Sequence, residues 1–435
     1  MALLIATGLV VVLVIAADFV ILPNLRGESG PGVTEDSSAA PTTGDEATAG
    51  GLKLKTIQRD GFEALEEEGI ADPAPLVETG TPPIRYAGSP VISACALMTL
   101  ADLKKHGLLL RPNPLTGSYR RSTFDGQGDG PVDKDDDLFL PTTPPNSCDY
   151  WLWPKSRLTI AVFQESYTNA SAMQYAFKDF VNRPAIGKVT VRQEKQDTSP
   201  DDDGIDHVNF ALRSGKTVVQ VNTSLERGPR LKHVQRTLLE TIAGNLSKRS
   251  IRPVGAPSIA YHSPLVTAKP TLACAVYNAG DFRRLFLRPA APFAREEISS
   301  AVGRLDFSIG TGIRDPKEYA YVHTMCERGT GNHYFTDRHK LRVEVISYMA
   351  PAAAEHYLTV AGPVDGGRRL SRSVGDGSYC VTRRYAWPAG ALVFRKGRFV
   401  VILTMTDPDE GQNYDPGARC TRMAPVAAQV ADRLK

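Results

Sequence analysis

The last three quarters of this chain repeat themselves, and that repeat limits the possible folds more than any other feature. Ala94-Cys95-Ala96 is followed seven residues after its cysteine by Asp102, then Leu103-Lys104-Lys105. Ala273-Cys274-Ala275 is followed at the same distance by Asp281, then Phe282-Arg283-Arg284. Arg111-Pro112 and Arg288-Pro289 come a little later in each copy. A second cysteine stands 53 residues on in one copy (Cys148) and 52 on in the other (Cys326). Arg157–Val162 and Lys340–Val345 then alternate apolar and polar positions, as a half-buried strand does. Leu212-Arg213-Ser214-Gly215-Lys216-Thr217-Val218-Val219 aligns with Phe394-Arg395-Lys396-Gly397-Arg398-Phe399-Val400-Val401. Both segments read as hairpins with the glycine at the same turn position.

A helix is expected in the middle of each copy. Asn169 would cap one over Ala170–Val181, and Pro351 would open the other over Ala352–Leu358. Each copy ends in a helix. Val234, Leu238, Ile242 and Leu246 recur every four residues, as do Val426, Val430 and Leu434 after Pro425. The expectation is an α+β fold of two tandem homologous domains, 84–248 and 264–435, joined by a linker at 249–263. Each would be a mainly antiparallel sheet covered by helices on one side.

The chain has six cysteines, and none lies in a Cys-x-x-Cys pair. Six could pair in 15 ways. The repeat selects Cys95 with Cys148 and Cys274 with Cys326, which leaves Cys380 with Cys420 in the second copy. An even count behind a membrane-targeting segment reads as disulfides in an oxidising compartment. That segment is Ala2–Leu22, apolar except for Asp18, and long enough to cross a bilayer as a helix. Residues 1–24 are therefore expected to be a single transmembrane anchor, with the bulk of the chain extracytoplasmic. A cleaved signal peptide is the rival reading, but no Lys or Arg precedes the run and Ile15-Ala16-Ala17 is a mediocre cleavage site; the same missing charge weakens the assignment of the anchor's orientation. Residues 25–83 read as a tether and spacer. The stretch up to Gly51 is acidic and rich in Gly, Ser, Thr, Pro and Ala, and a short helix is expected around Gly61–Gly69.

The pattern Cys-Ala-x5-Asp, a mid-domain cysteine, Gly375-Asp376-Gly377 before the hairpin and Arg-x-Gly-[Lys/Arg]-x-Val-Val resembles a family of uncharacterised actinobacterial secreted proteins and lipoproteins. It is distantly similar to the extracellular sensor domains of mycobacterial receptor kinases. The resemblance spans both copies and implies a surface location and a disulfide-bonded fold, with no catalytic residues. Many family members carry a lipid-modified cysteine at the end of the signal peptide. Here the first cysteine is Cys95, so the apolar segment itself would be the anchor. Copy one also departs from the family, with Asp203-Gly204 where copy two has Gly375-Asp376-Gly377.

Motifs for chemistry are sparse. There is no Gly-x-Ser-x-Gly, His-Glu-x-x-His or P-loop. No metal site or cofactor is expected. His333, Asp337 and His339 read as polar loop residues. Asp125, Gln127, Asp129, Gly130, Asp133 and Asp136 match several positions of a calcium-loop template, but lack the bidentate Glu and flanking helices. They read as a solvated acidic loop, as do Asp201–Asp203. Tyr150-Trp151-Leu152-Trp153 is expected to pack near the Cys148 disulfide.

The net charge of +3 argues against a nucleic-acid partner. It conceals an imbalance: 24 Lys+Arg against 17 Asp+Glu in copy two, and 21 against 18 in copy one. Arg368, Arg369, Arg372, Arg383, Arg384, Arg395, Lys396 and Arg398 gather around one hairpin. These features lead to a non-enzymatic, membrane-anchored module that binds an unidentified envelope ligand or protein. The alternatives are an envelope-acting hydrolase or a structural subunit of a membrane or secretion assembly.

Overall fold

The structure is a computed structural model. It describes residues 84–435 except 109, 111–118, 133–145, 153–155, 176–179, 195–203, 249–253, 260–267, 299–305, 308–320, 332–337, 365, 383–387 and 411–413, together with the backbone of 47–49, 52–59, 62–68 and 76–80. The expected anchor and the tether up to residue 46 lie outside the described residues. Among those described, no helix is long and apolar enough to cross a membrane.

The described part of the spacer region is β-structure. Strands β1 (Ala47–Ala49), β2 (Leu52–Arg59) and β3 (Phe62–Glu68) form an antiparallel ribbon, and β4 (Leu76–Gly80) follows. The helix expected at Gly61–Gly69 is thus a strand. It pairs with β2 from Lys53↔Glu68 to Arg59↔Phe62, so its backbone groups are satisfied across a ladder instead of within one isolated helical turn. Next come the two-residue strands β5 (Arg85–Tyr86) and β6 (Ser89–Pro90), a helical turn at Ala94–Leu97, and α1 (Leu100–Lys105).

The first half continues through β7 (Tyr119–Phe124), β8 (Ser147–Leu152), β9 (Ser156–Gln164), α2 (Ala170–Tyr175), β10 (Phe180–Ile186), β11 (Val189–Glu194), β12 (Ile205–Ser214), β13 (Thr217–Glu226) and α3 (Leu231–Ser247). Helix α2 is shorter than expected, because Phe180 and Val181 already pair with β11. The linker is not plain chain either: β14 (Val254–Ile259) pairs with β4.

The second half holds α4 (Ala273–Val276), α5 (Ala279–Phe286), β15 (Phe293–Ile298), β16 (Asp306–Phe307), β17 (Tyr321–Gly329), β18 (Lys340–Tyr348), α6 (Pro351–Val364), β19 (Arg368–Arg369), β20 (Gly377–Cys380), β21 (Leu392–Lys396), β22 (Phe399–Thr406) and α7 (Pro416–Arg433). Helix α7 starts nine residues earlier than expected. Asp415 caps it by accepting from the Gly417 N–H at 2.9 Å, Pro416 takes the first position, and Pro425 sits inside.

One antiparallel sheet of 14 strands runs β10-β11-β12-β13-β9-β8-β7-β15-β17-β18-β22-β21-β20-β19. Read outward from its central pair, β7 and β15, the order is the same on both sides. The two halves therefore share one ladder within the compact unit Gly44–Lys435. That central register sets Arg120 opposite Glu297 and Arg121 opposite Glu296. The β12–β13 and β21–β22 hairpins turn through Gly215-Lys216 and Gly397-Arg398, each glycine at φ 57°. A glycine at the first position of a two-residue turn is what a right-twisted ribbon requires.

Helices cover both faces of the sheet, not one. On the first face, Leu238, Leu239, Ile242, Ala243 and Leu246 of α3 meet Leu158, Ile160, Val162, Val219 and Val221. On the same face of the second half, Met423, Val426, Ala427 and Val430 of α7 meet Val343, Val345, Val401 and Leu403. On the second face, Met173 of α2 packs on Ala161, Phe163 and Val218, and Ala353, Ala354 and Tyr357 of α6 pack with Ile346, Val400 and Ile402. Burying one such aliphatic side chain stabilises the fold by about 1.5–3 kcal/mol.

The repeated motifs have structural causes. Asp102 and Asp281 complete capping boxes with Thr99 and Asn278, so the cysteine-to-aspartate spacing fixes where a helix begins. Asp376 of the Gly-Asp-Gly motif accepts from the Gly397 N–H at 2.6 Å, which braces the hairpin turn. Gly375, at φ 60°, lies so close to Arg395 that a Cβ there would be 2.2 Å from its carbonyl oxygen. The three disulfides are Cys95–Cys148, Cys274–Cys326 and Cys380–Cys420, the pairs that the repeat selects. The last joins β20 to the first turns of α7.

Candidate functional site

Alternation along a strand sends neighbouring residues to opposite faces. In the six middle strands it sends most hydrophobic residues toward α3 and α7, along with the buried Arg121–Glu296 pair and Arg328, and gathers the remaining charged residues on the other face. On that second face, α2 sits over β9 and β13, and α6 over β18 and β20–β22. Four strands, β8, β7, β15 and β17, lie between them. At about 4.8 Å per strand they form a floor on the order of 20 Å wide.

The floor is a continuous charge network drawn from both halves. Asp149 of β8 accepts from Arg157 at 3.2 Å and from Thr159 of β9. The indole of Trp151 lies 4.9 Å from the Arg157 guanidinium carbon and 5.0 Å from that of Arg120. Trp151 thus spaces two like charges and gains cation–π attraction from each. Arg120 pairs with Glu297 across the central strands, and Arg295 meets the same carboxylate at 2.7 Å. Further along, Arg342 of β18 reaches Glu327 at 3.2 Å and Glu344 at 3.9 Å, and His323 Nε2 lies 2.9 Å from Glu344. One end of the floor is closed by Phe124, Phe293, Tyr167, Tyr86 and Val132.

Depth sorts the charges. Asp149, Glu327 and Glu344 are 3–9% exposed, whereas Arg157 and Arg342 are 34–37% exposed and His323 is 25% exposed. Away from the centre the carboxylates lie below and the donors above, so N–H groups face outward there; at the centre Glu297, 19% exposed, lies level with Arg295 and Arg120 at 15% and 21%. Burial alone would raise the Glu297 carboxyl, but Arg295, Arg120 and Arg342 outweigh it and hold the group below its ordinary value. Burial lowers the Arg120 guanidinium, and Glu297 only partly restores it. Burial would likewise lower Arg342, yet Glu327, Glu344 and Glu297 raise it. Arg295 is also raised, because Glu297 and Glu327 outweigh its burial.

Replacing Glu297 with glutamine leaves Arg120 and Arg295 without a shared counter-charge. At neutral pH this should cost about 2–4 kcal/mol in urea denaturation. A carboxyl held below its unfolded value adds stability that is complete above that value and disappears as pH falls through the folded one. The wild-type and E297Q stability curves should therefore converge below about pH 4. A gap that persists at acid pH would contradict this.

The sites singled out in the sequence fare differently. The acidic loop is not solvated throughout: Asp125 and Gln127 accept from Arg328, and Asp129 accepts from Arg283 at 2.6 Å. Gly128 and Gly130 pack on the backbone of Ala290 and Ala291. The loop is a clasp that holds the first half to the second. Asp133 and Asp136 lie outside the described residues, as do Asp201–Asp203, His333, Asp337 and Trp153. His339 is buried, with Asp407 at 3.3 Å and Asp409 at 3.1 Å. Both carboxylates already pair with guanidiniums, Asp407 with Arg422 and Asp409 with Arg288. Tyr150 is buried and donates to the Met98 carbonyl, while Trp151 belongs to the floor. Of the basic hairpin group, Arg383 and Arg384 lie outside the described residues. Arg395 pairs with Glu355, Lys396 with Asp376, and Arg398 donates to the carbonyls of Tyr348 and Lys269.

The floor itself was not foreseen from sequence. Its signal is the charged residue at every second position of otherwise apolar strands, as in Leu341-Arg342-Val343-Glu344-Val345. That signal becomes a site only once the strand order is known.

Comparisons with protein-family models, with curated proteins and with solved structures each returned no match.

Proposed function

We propose that this chain is a membrane-anchored, extracytoplasmic binding protein without catalytic activity, made of two tandem copies of one α+β domain and related to the actinobacterial secreted family its motifs resemble. The observation that carries this reading is the floor. It is polar, half-exposed, framed by helices and assembled from both halves. Binding sites commonly sit where two such units meet. The mirrored strand order and the paired capping boxes and disulfides support the tandem origin. Three disulfides support an oxidising compartment.

A binding role is favoured over catalysis by the state of the central carboxylate, Glu297. An acid catalyst is expected to have its pKa raised. Glu297 is instead held low by arginines. Guanidinium, imidazole and indole groups over buried acids suit an acceptor-rich ligand, such as a carboxylated sugar or a peptide fragment of the cell wall.

The test is a thermal-shift panel of soluble cell-wall fragments on the full chain and on an R157M/H323Q variant. At least one fragment should raise the wild-type Tm and leave the variant unmoved. A panel to which both respond equally, or neither responds, overturns the reading. Turnover of any fragment overturns its non-enzymatic part.

A further inference from the structure

Among the described residues, most arginines of the second half are occupied. Those at 283, 284, 288, 295, 328, 342, 395, 419, 422 and 433 close ion pairs, Arg398 bonds carbonyls, and Arg338 also has a partner. Three depart from this: Arg368, Arg369 and Arg372 are exposed, and no ion pair engages them among the described residues. They lie together at the outer edge of the sheet. Arg368 and Arg369 are β19 itself, and adjacent strand residues point to opposite faces, so the two guanidiniums straddle the edge.

The segment that displays them is firmly held. Arg368 pairs with Cys380, which is bridged to α7, and Arg369 pairs with Tyr379. Leu370 packs against the core of the second half, Val374 is buried, and the Val374 N–H donates to Ser378 at 3.0 Å. The Thr382 hydroxyl ties down the Gly366 carbonyl on the other side. The matching edge of the first half, β10, has no such bridge, and its Arg183 is engaged by Gln193 at 2.9 Å. Three donor forks thus stand on a firmly held backbone around one edge, and the described apolar side chains beside them, Leu370, Val374 and Tyr379, are turned inward.

We infer that the β19 edge is a second binding site, separate from the floor, for a phosphate-bearing polyanion chain. Each guanidinium offers paired donors that match phosphate oxygens, and a straddled edge suits an extended chain gripped from both sides. A lipid surface is the less suitable partner, because among the described residues no exposed apolar side chain stands beside the arginines to enter it.

The test is binding of inorganic polyphosphate to the full chain, measured by fluorescence anisotropy, against R368Q/R369Q/R372Q. The triple variant should lose about ten- to hundredfold in affinity, as three exposed ionic contacts removed together imply. It should keep the wild-type Tm, since these side chains touch no core residue. R368K/R369K/R372K should recover part of the binding. Equal affinity of the wild type and the triple glutamine variant overturns the proposal, as does failure of both to bind. Vesicles of phosphatidylglycerol that bind more tightly than polyphosphate, with the same dependence on the three arginines, overturn the choice of partner. An R157M/H323Q chain should bind polyphosphate normally, which separates this site from the floor.

Discussion

Arg328→Ala is expected to cost about 3–5 kcal/mol, the range for removing one partner of a buried ion pair. Arg328 is fully buried, on the face of β17 opposite the floor. Its Nη2 donates to Asp125 at 2.5 Å and to Gln127 at 3.2 Å, and its guanidinium lies 5.9 Å from the centre of the Tyr277 ring. Alanine would remove the counter-charge of Asp125, open a cavity beside Tyr277 and release the clasp between the halves. Methionine removes the same counter-charge and the same two buried donors, Nε and Nη1, which find no partner among the described residues, so it differs from alanine by filling the cavity, a gain of about 1–2 kcal/mol. A fall in urea midpoint for R328A, partly recovered in R328M, is the expected pattern. An alanine variant within about 1 kcal/mol of wild type would show that the clasp contributes little.

Removing Cys380–Cys420 as C380A/C420A is expected to cost roughly 4 kcal/mol, the chain-entropy value for a closed loop of this length. The bridge spans 40 residues and joins the penultimate strand of the sheet to the helix that covers it. Both sulfurs are buried, so alanine introduces no unsatisfied polar group. The loss should also be local. Amide exchange should quicken most in β19 and β20, which hang on Cys380, and hardly at all in β10–β13. Uniform loss of protection across the sheet would show that the bridge acts only on the unfolded chain.

How far the sequence disclosed this architecture depends on which contacts were local. Cysteine spacing and the glycine hairpins were readable because capping boxes and two-residue turns are made within a few residues. The α3 stripe was readable for the same reason. The boundaries of α2 and α7 were missed, since Phe180 is claimed by β11, and Asp415 offers an earlier cap than Pro425 suggested. The helix expected at Gly61–Gly69 failed because residues 62–68 pair along their length with the preceding strand. The floor was hidden for a deeper reason. Arg120 and Glu297 meet across the two halves, and nothing near either residue announces the other.

That same pairing bears on how the chain is made. Strand β7 is synthesised about 170 residues ahead of β15, so at ~5–20 residues per second it waits on the order of 10–30 s for its neighbour. During that interval it is an open edge, the kind of surface that recruits identical chains. Its own residues guard against this. Two nascent copies of β7 laid antiparallel would bring Arg120 and Arg121 against their counterparts, and like charges facing across a ladder repel. Strand β15 instead offers Glu296 and Glu297 at those positions. The charges that join the finished halves therefore also keep unfinished chains apart.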